Sequence, residues 1–154
     1  MNQTPVETYA CPFKRAILHG GFGCEKSVRR VAAVQSSIAC CSKDAQARCK
    51  ALFELMLGSA RFALRIDGPA DAVPNGKLIR LQAGGLLGMR HLLGDAADGS
   101  PDRGADVVED IHGLVARACG RFNSLNDLPF DRVVRGMTAY RLKRRRPRPA
   151  DPRP

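Results

Sequence analysis

Hydrophobic residues recur at intervals of three and four along two long segments of the chain. Between residues 43 and 64 this stripe contains Cys49, Leu52, Phe53, Met56 and Ala60. Between residues 105 and 122 it contains Val107, Val108, Ile111, Leu114, Val115, Ala118, Cys119 and Phe122. Such spacing places the apolar side chains on one face of a helix. Both segments are therefore predicted to be amphipathic helices.

Local signals mark the beginnings of three helices. Ser42 is suited to cap the helix that starts at residue 43, because its hydroxyl can accept from a free backbone N–H. Asp106 and Glu109 stand three residues apart, as in a capping box before the second long helix. Pro129 is predicted to open a last helix, since proline is tolerated in the first turn.

Weaker patterns predict the remaining elements. Short helical stretches are expected over residues 12–18, 24–35 and 86–93. The weakly alternating KLIRLQ at residues 77–82 indicates a possible short strand, and the glycine-rich AGGLLG at residues 83–88 a tight turn. Proline and glycine make residues 67–76 and 94–104 loops.

Composition favours one mostly helical domain. The chain has 154 residues, of which 44% are hydrophobic but only 5% aromatic, so the core must be built mainly from aliphatic side chains. We expect an all-α or mostly-α domain of four to five helices over residues 8–143. Residues 1–7 are predicted to be a flexible lead-in and residues 144–154 a disordered Arg/Pro-rich tail.

Cysteine use indicates metal or redox chemistry. The chain contains no apolar run of membrane-spanning length, and basic residues at 14 and 15 interrupt the segment where a signal peptide would be hydrophobic. A cytoplasmic protein without membrane contact is therefore expected. Thiols remain reduced in that compartment, so six cysteines favour metal binding over a disulfide framework.

Five of the six cysteines fall within residues 11–49, which predicts a metal-binding N-terminal part. They are Cys11, Cys24, Cys40, Cys41 and Cys49. A proline follows the first, glycines precede the second, and the adjacent pair stands before a helix start, where the helix dipole favours thiolate. The predicted ligand set is Cys11, Cys24, Cys49 and one of Cys40 and Cys41.

The spacing of these cysteines favours an iron–sulfur cluster of the 4Fe-4S type over a zinc ion. Zinc sites commonly draw ligands from C-x-x-C pairs, and this chain has none. The gaps of 12, 15 and 7 residues suit a larger core with ligands on separate elements. A thiol redox switch and a set of incidental buried thiols remain as alternatives. Cys119 is expected to be a small core residue and His19 a polar loop residue.

The function predicted from these features is electron transfer, or redox or oxygen sensing, with a redox protein or enzyme as partner. No triad or phosphate-loop motif is present, which favours a non-enzymatic role. Two alternatives stay open. One is a nucleic-acid-binding regulator with a structural zinc site, whose basic tail at residues 141–148 contacts phosphates; the other is a helical adaptor subunit of an enzyme. Seven basic residues against one acid from residue 141 onward account for +6 of the net charge of +10.

Overall fold

A computed structural model describes residues 8–31, 36–94 and 107–142. The lead-in at residues 1–7, the tail at residues 144–154 and nearly all of the predicted loop at residues 94–104 lie outside these ranges, as does Asp106 of the predicted capping box.

The described chain is mostly helical, as the sequence predicts, with five helices and a small sheet. The helices are α1 (Lys14–His19), α2 (Lys43–Ala60), α3, α4 (Ile111–Phe122) and α5 (Phe130–Ala139). Helix α3 is continuous over residues 75–92: it consists of Asn75–Ile79, a π-helical stretch at Arg80–Gly84, and Gly85–Leu92. Short 3₁₀ turns lie at Ala70–Ala72 and Leu125–Asp127.

Three short strands form an antiparallel sheet near the N-terminus. They are β1 (Tyr9–Ala10), β2 (Ser27–Val31) and β3 (Ser36–Cys40), in the order β1-β3-β2. The helix predicted over residues 24–35 is therefore wrong. The valines of β2 repeat at a helical interval, but β-branched residues also favour strands, and pairing with β3 supplies backbone hydrogen bonds that a short helix could not retain.

The strand and the tight turn predicted over residues 77–88 are also wrong, because this whole stretch belongs to α3. Residues 81–86 are all buried, so both faces of the segment meet the core and no alternation is needed. The glycines of AGGLLG allow close helix packing and do not break the chain. Helix α4 begins at Ile111, later than predicted, so Glu109 precedes the helix and does not cap it.

Helices α3 and α5 approach each other through glycines. A Cβ atom on Gly84 would lie 2.5 Å from the Cα of Met137, and one on Gly136 would lie 2.5 Å from the carbonyl oxygen of Gly84. Gly88 faces the backbone of Val133 in the same way. Only glycine permits this distance, so the two helix backbones touch directly and α3 lies deep in the molecule.

We predict that Gly84→Ala destabilises the protein by about 1–3 kcal/mol, because the added methyl group meets backbone atoms that cannot rotate away. Urea denaturation measures this change. The matched control is Gly58→Ala in α2, where a Cβ would have no neighbour within 4 Å. That substitution should stabilise the protein by about 0.5–1 kcal/mol, since alanine favours helix. Equal effects of the two substitutions would contradict the direct backbone contact.

Candidate metal centre

Four of the five clustered cysteines line one small cavity, which we call the cysteine cavity. They are Cys11, Cys24, Cys40 and Cys49. The first follows β1, the second lies between α1 and β2, the third ends β3, and the fourth lies in the second turn of α2. The other walls are formed by Pro12, Phe13, Ser27, Ala45, Gln46, Ile111 and His112. The fold thus brings together thiols that are widely separated in sequence.

The structure distinguishes between the two adjacent cysteines. Cys40 is buried and faces the cavity, whereas the side chain of Cys41 is exposed. Neighbouring residues of an extended chain point to opposite sides, which separates the two thiols. The backbone N–H of Cys41 donates to the carbonyl of Lys26 at 2.9 Å, and the thiol of Cys40 donates to the carbonyl of Ser42 at 3.3 Å. Of the predicted ligands, Cys41 alone does not line the cavity.

The loop that carries Cys24 is held against the segment before α4. Gly23 donates to the carbonyl of Val108 at 2.9 Å, and Ile111 donates to the carbonyl of Gly23 at 2.8 Å. A Cβ on Gly23 would lie 2.9 Å from the carbonyl oxygen of Glu109, so the glycine is needed for this contact. At Gly23 the close approach is therefore to another segment of the chain.

Sequence reasoning missed a buried glutamine that holds the segment around Cys11. Gln82 of α3 is only 3% exposed. Its side-chain oxygen accepts from the N–H of Ala16 at 3.1 Å, and its side-chain nitrogen donates to the carbonyl of Pro12 at 3.0 Å. The N–H of Ala16 lies in the first turn of α1, where backbone N–H groups have no acceptor within the helix. An amide inside the apolar run LIRLQAGGLL was the available signal.

Helix starts and backbone amides make the cavity favourable for negative charge. The first turn of α4 and the first two turns of α2 contribute to its walls, so the positive ends of both helix dipoles lie there. A backbone hydrogen bond from Phe13 lowers the pKa of Cys11, and bonds from Lys26 and His112 lower that of Cys24. These groups favour the thiolate forms.

Burial has the opposite and larger effect on the same thiols. Desolvation raises the pKa of Cys11 to about 11 and that of Cys49 to about 12, and it also raises the pKa of Cys24. The neighbouring thiols contribute to this rise, while Lys14 and Arg48 partly offset it for Cys11 and Cys49. The three thiols are therefore protonated at neutral pH unless a cation compensates their charge.

The donor set fits a soft metal, but the arrangement is not that of a finished metal site. Thiolates are the preferred ligands of zinc and of iron–sulfur clusters. The cavity has a volume of about 10 Å³, near the least that holds one water molecule. Within residues 8–31, 36–94 and 107–142, no three His, Cys, Asp or Glu side chains are grouped so as to hold a metal ion. Ligation therefore requires the thiols to turn inward and the walls to separate.

Of the remaining candidates, His19 and Cys119 lie away from the cysteine cavity, whereas His112 is part of its wall. His19 packs edge-on against Tyr140, and its buried Nε2 atom has no hydrogen-bond partner among the described residues. Cys119 is half-buried against the core and lines a separate surface groove beside α2. His112 lines the cavity, and its ring lies 3.8 Å from the carboxylate of Glu25.

Comparison with known proteins does not assign a function, so the assignment must rest on the chemistry of these residues. No family model, no curated protein and no solved structure matches this chain. In the described ranges, no helix combines the length and the apolar character that crossing a bilayer demands.

We predict that Gln82→Leu costs about 2 kcal/mol or more, because it leaves the buried N–H of Ala16 and carbonyl of Pro12 without partners. Urea denaturation measures the loss. Cys11 of the metal-free variant should also react faster with iodoacetamide than Cys11 of the wild type. The control is Thr138→Val, which removes an exposed hydrogen bond to the carbonyl of Arg135 and should change stability by less than about 0.5 kcal/mol. A glutamine variant as stable as this control would remove Gln82 from its positioning role.

We predict that the metal-free protein loses stability as the pH rises above 9. An unfolded thiol ionises near its ordinary pKa of 9.0, whereas the folded protein holds the pKa of Cys49 at about 12 and that of Cys11 at about 11. Between these values the unfolded state binds fewer protons than the folded state, so the free energy of unfolding falls with pH. Below pH 9 both states keep these protons.

Urea denaturation across this range tests the effect. Other groups also titrate at high pH, so the decline should be compared between variants. It should be shallower in Cys49→Ala, which removes one of the shifted thiols, and unchanged in Cys119→Ala. Parallel curves for all three proteins would show that the pKa of Cys49 is not raised in the folded state.

Proposed function

We propose that the cysteine cavity holds a 4Fe-4S cluster and that the protein acts in electron transfer or in redox or oxygen sensing. The proposed ligands are Cys11, Cys24, Cys40 and Cys49. The observation that carries the proposal is the convergence of these four thiols, from four separate segments, on one cavity beside the starts of two helices.

Three features favour a cluster. A four-thiolate cluster carries net negative charge, which the dipoles of α2 and α4 stabilise. Amide hydrogen bonds to the sulfurs of Cys11 and Cys24 are of the kind that tune cluster potentials. Finally, tetrahedral zinc holds its sulfurs only about 3.8 Å apart. Four ligands on separate elements suit the wider spacing of a cubane.

Zinc is the second candidate, and the small cavity volume favours it. A space of about 10 Å³ receives a single ion with less movement of the walls than a cluster needs. In that case the site is structural. The protein then corresponds to the predicted nucleic-acid-binding regulator, whose basic tail at residues 141–148 lies outside the described ranges from residue 143 onward. An adaptor subunit of an enzyme is compatible with either metal.

The residues around the cavity have separate tasks in the proposed centre. A bound cluster supplies one-electron chemistry. Phe13 is fully buried beside Cys11 and excludes water from that side, while Lys14 and Arg48 offset the negative charge of the nearest thiolates. Binding requires release of the thiol protons, including the one that Cys40 donates to Ser42.

The proposed compartment and partner follow from this chemistry. All six cysteines are free, which suits the reducing cytoplasm. An electron-transfer or sensing role requires a protein partner, which we infer to be a redox protein or an enzyme.

Anaerobic purification with iron, sulfide and zinc analysis tests the proposal. Protein with a cluster should be brown, with broad absorbance at about 400 nm and equal amounts of iron and acid-labile sulfide. We predict that Cys24→Ala and Cys49→Ala each abolish this chromophore, because each removes a ligand.

The matched controls are Cys41→Ala and Cys119→Ala, since neither thiol lines the cavity. Both should keep the full absorbance. A full chromophore in Cys49→Ala would remove that residue from the ligand set. One zinc per chain would overturn the cluster in favour of the structural site, and protein without any metal would overturn both.

A further inference from the structure

A second surface feature lies between α3 and α5, and the proposed metal centre does not use it. The groove has a volume of about 650 Å³ and is open to solvent. Its lining residues are Leu87, Gly88, His91, Leu92, Arg132, Arg135, Gly136, Ala139 and Tyr140. None of them lines the cysteine cavity. We call this feature the arginine groove.

The described residues that line the groove carry positive charge. Arg132 and Arg135 lie three residues apart on one face of α5, and His91 faces them from the end of α3; all three side chains are exposed. Among the residues that the structure describes, no acidic side chain lines the groove. Asp131 is a helical turn away from Arg135, but no ion pair between described residues joins the two. Both guanidinium groups are therefore available to an external anion.

We propose that the arginine groove binds the phosphate backbone of a nucleic acid strand. This inference is independent of the metal centre. Arginine presents a planar fork of donors that matches phosphate oxygens. Exposed cations in an open groove suit a polyanion bound at the surface, whereas small ligands are mostly enclosed by their pockets. The chain leaves the groove at Tyr140, and from Arg141 onward the sequence carries seven basic residues and one acid. Positive charge in the sequence thus continues beyond the groove.

The recognition is independent of base sequence. Bases are read by stacking or by hydrogen bonds to their edges, and stacking needs an exposed aromatic ring. Tyr140 lines the groove but is only 6% exposed and packs against His19, so the imidazole of His91 is the one exposed ring among the described lining residues. A single ring is not a series of aromatic side chains on which successive bases stack, so the contacts of the groove are chiefly to phosphates.

The test is fluorescence anisotropy of a labelled single-stranded oligonucleotide about 20 nucleotides long. It is titrated with the full chain over a range of salt concentrations. The double variant Arg132→Gln/Arg135→Gln is compared with wild type. Both substitutions are on exposed positions, so the fold should persist, as circular dichroism can verify. Loss of two phosphate contacts should weaken binding roughly tenfold at low salt and reduce the slope of log K against log[salt] by about 1.4.

The matched control is Lys50→Gln/Arg65→Gln, which removes the same charge from exposed positions outside the groove. It should keep the wild-type slope. An equal loss in both double variants would overturn the proposal, because net charge alone would then explain the binding. An unchanged slope in the arginine variant would also overturn it, since the contacts would belong to the residues after Arg141. Failure of the wild-type protein to bind the oligonucleotide would overturn the proposal as well.

Two competitors separate nucleic acid from other anions. ADP that displaces the oligonucleotide at micromolar concentration would identify a small-ligand site and overturn the proposal. Polyglutamate of equal charge that binds as tightly, with the same dependence on Arg132 and Arg135, would identify an acidic protein partner and overturn it as well. We expect that neither ADP nor polyglutamate displaces the oligonucleotide below millimolar concentration.

Discussion

The direct contact between the backbones of α3 and α5 sets the geometry of the rest of the molecule. Because Gly84 and Gly136 have no side chains, α3 lies against α5 and remains buried along its middle. Gln82 lies two residues before the first of these glycines, so the same contact fixes the depth and direction of its amide. That amide holds Pro12 and the start of α1, and thereby places Cys11. Helix packing on one side of the domain thus determines a thiol position on the other.

Two electrostatic effects are balanced at the cysteine cavity. Desolvation keeps the thiols of Cys11, Cys24 and Cys49 protonated, whereas helix dipoles, amide hydrogen bonds and nearby cations favour their thiolates. Desolvation has the larger effect, which keeps these three sulfurs neutral and unreactive. A bound cation would reverse the balance, and the same dipoles would then stabilise the thiolate forms. Asp110 adds to the rise in the pKa of Cys24 that burial causes. Its carboxylate also accepts a hydrogen bond from the backbone N–H of Glu25, which supports the loop that carries Cys24.

The sequence predicted the two long helices well and the paired elements poorly. Helix α2 has a strong apolar period and a capping serine, and α4 has a strong apolar period, so local information was sufficient for both. Strand β2 was missed because its stability comes from pairing with β3. The last part of α3 was predicted as the helical stretch at residues 86–93, but its middle was missed because residues 81–86 are all buried and have no polar face to reveal their period. The choice between Cys40 and Cys41 depended on strand direction, and the role of Gln82 on partners 66 and 70 residues away.

The attachment of the Cys24 loop to the segment before α4 has a consequence for biosynthesis. All four cavity thiols are encoded within the first third of the chain, but Gly23 finds its partners at Val108 and Ile111. On the ribosome, a nascent chain therefore exposes all four cavity thiols well before the residues that close the cavity have been translated. Such long-range contacts form late, because a large loop must first be closed. Newly made protein thus passes through a stage in which its sulfurs are open to metal donors and to oxidants alike.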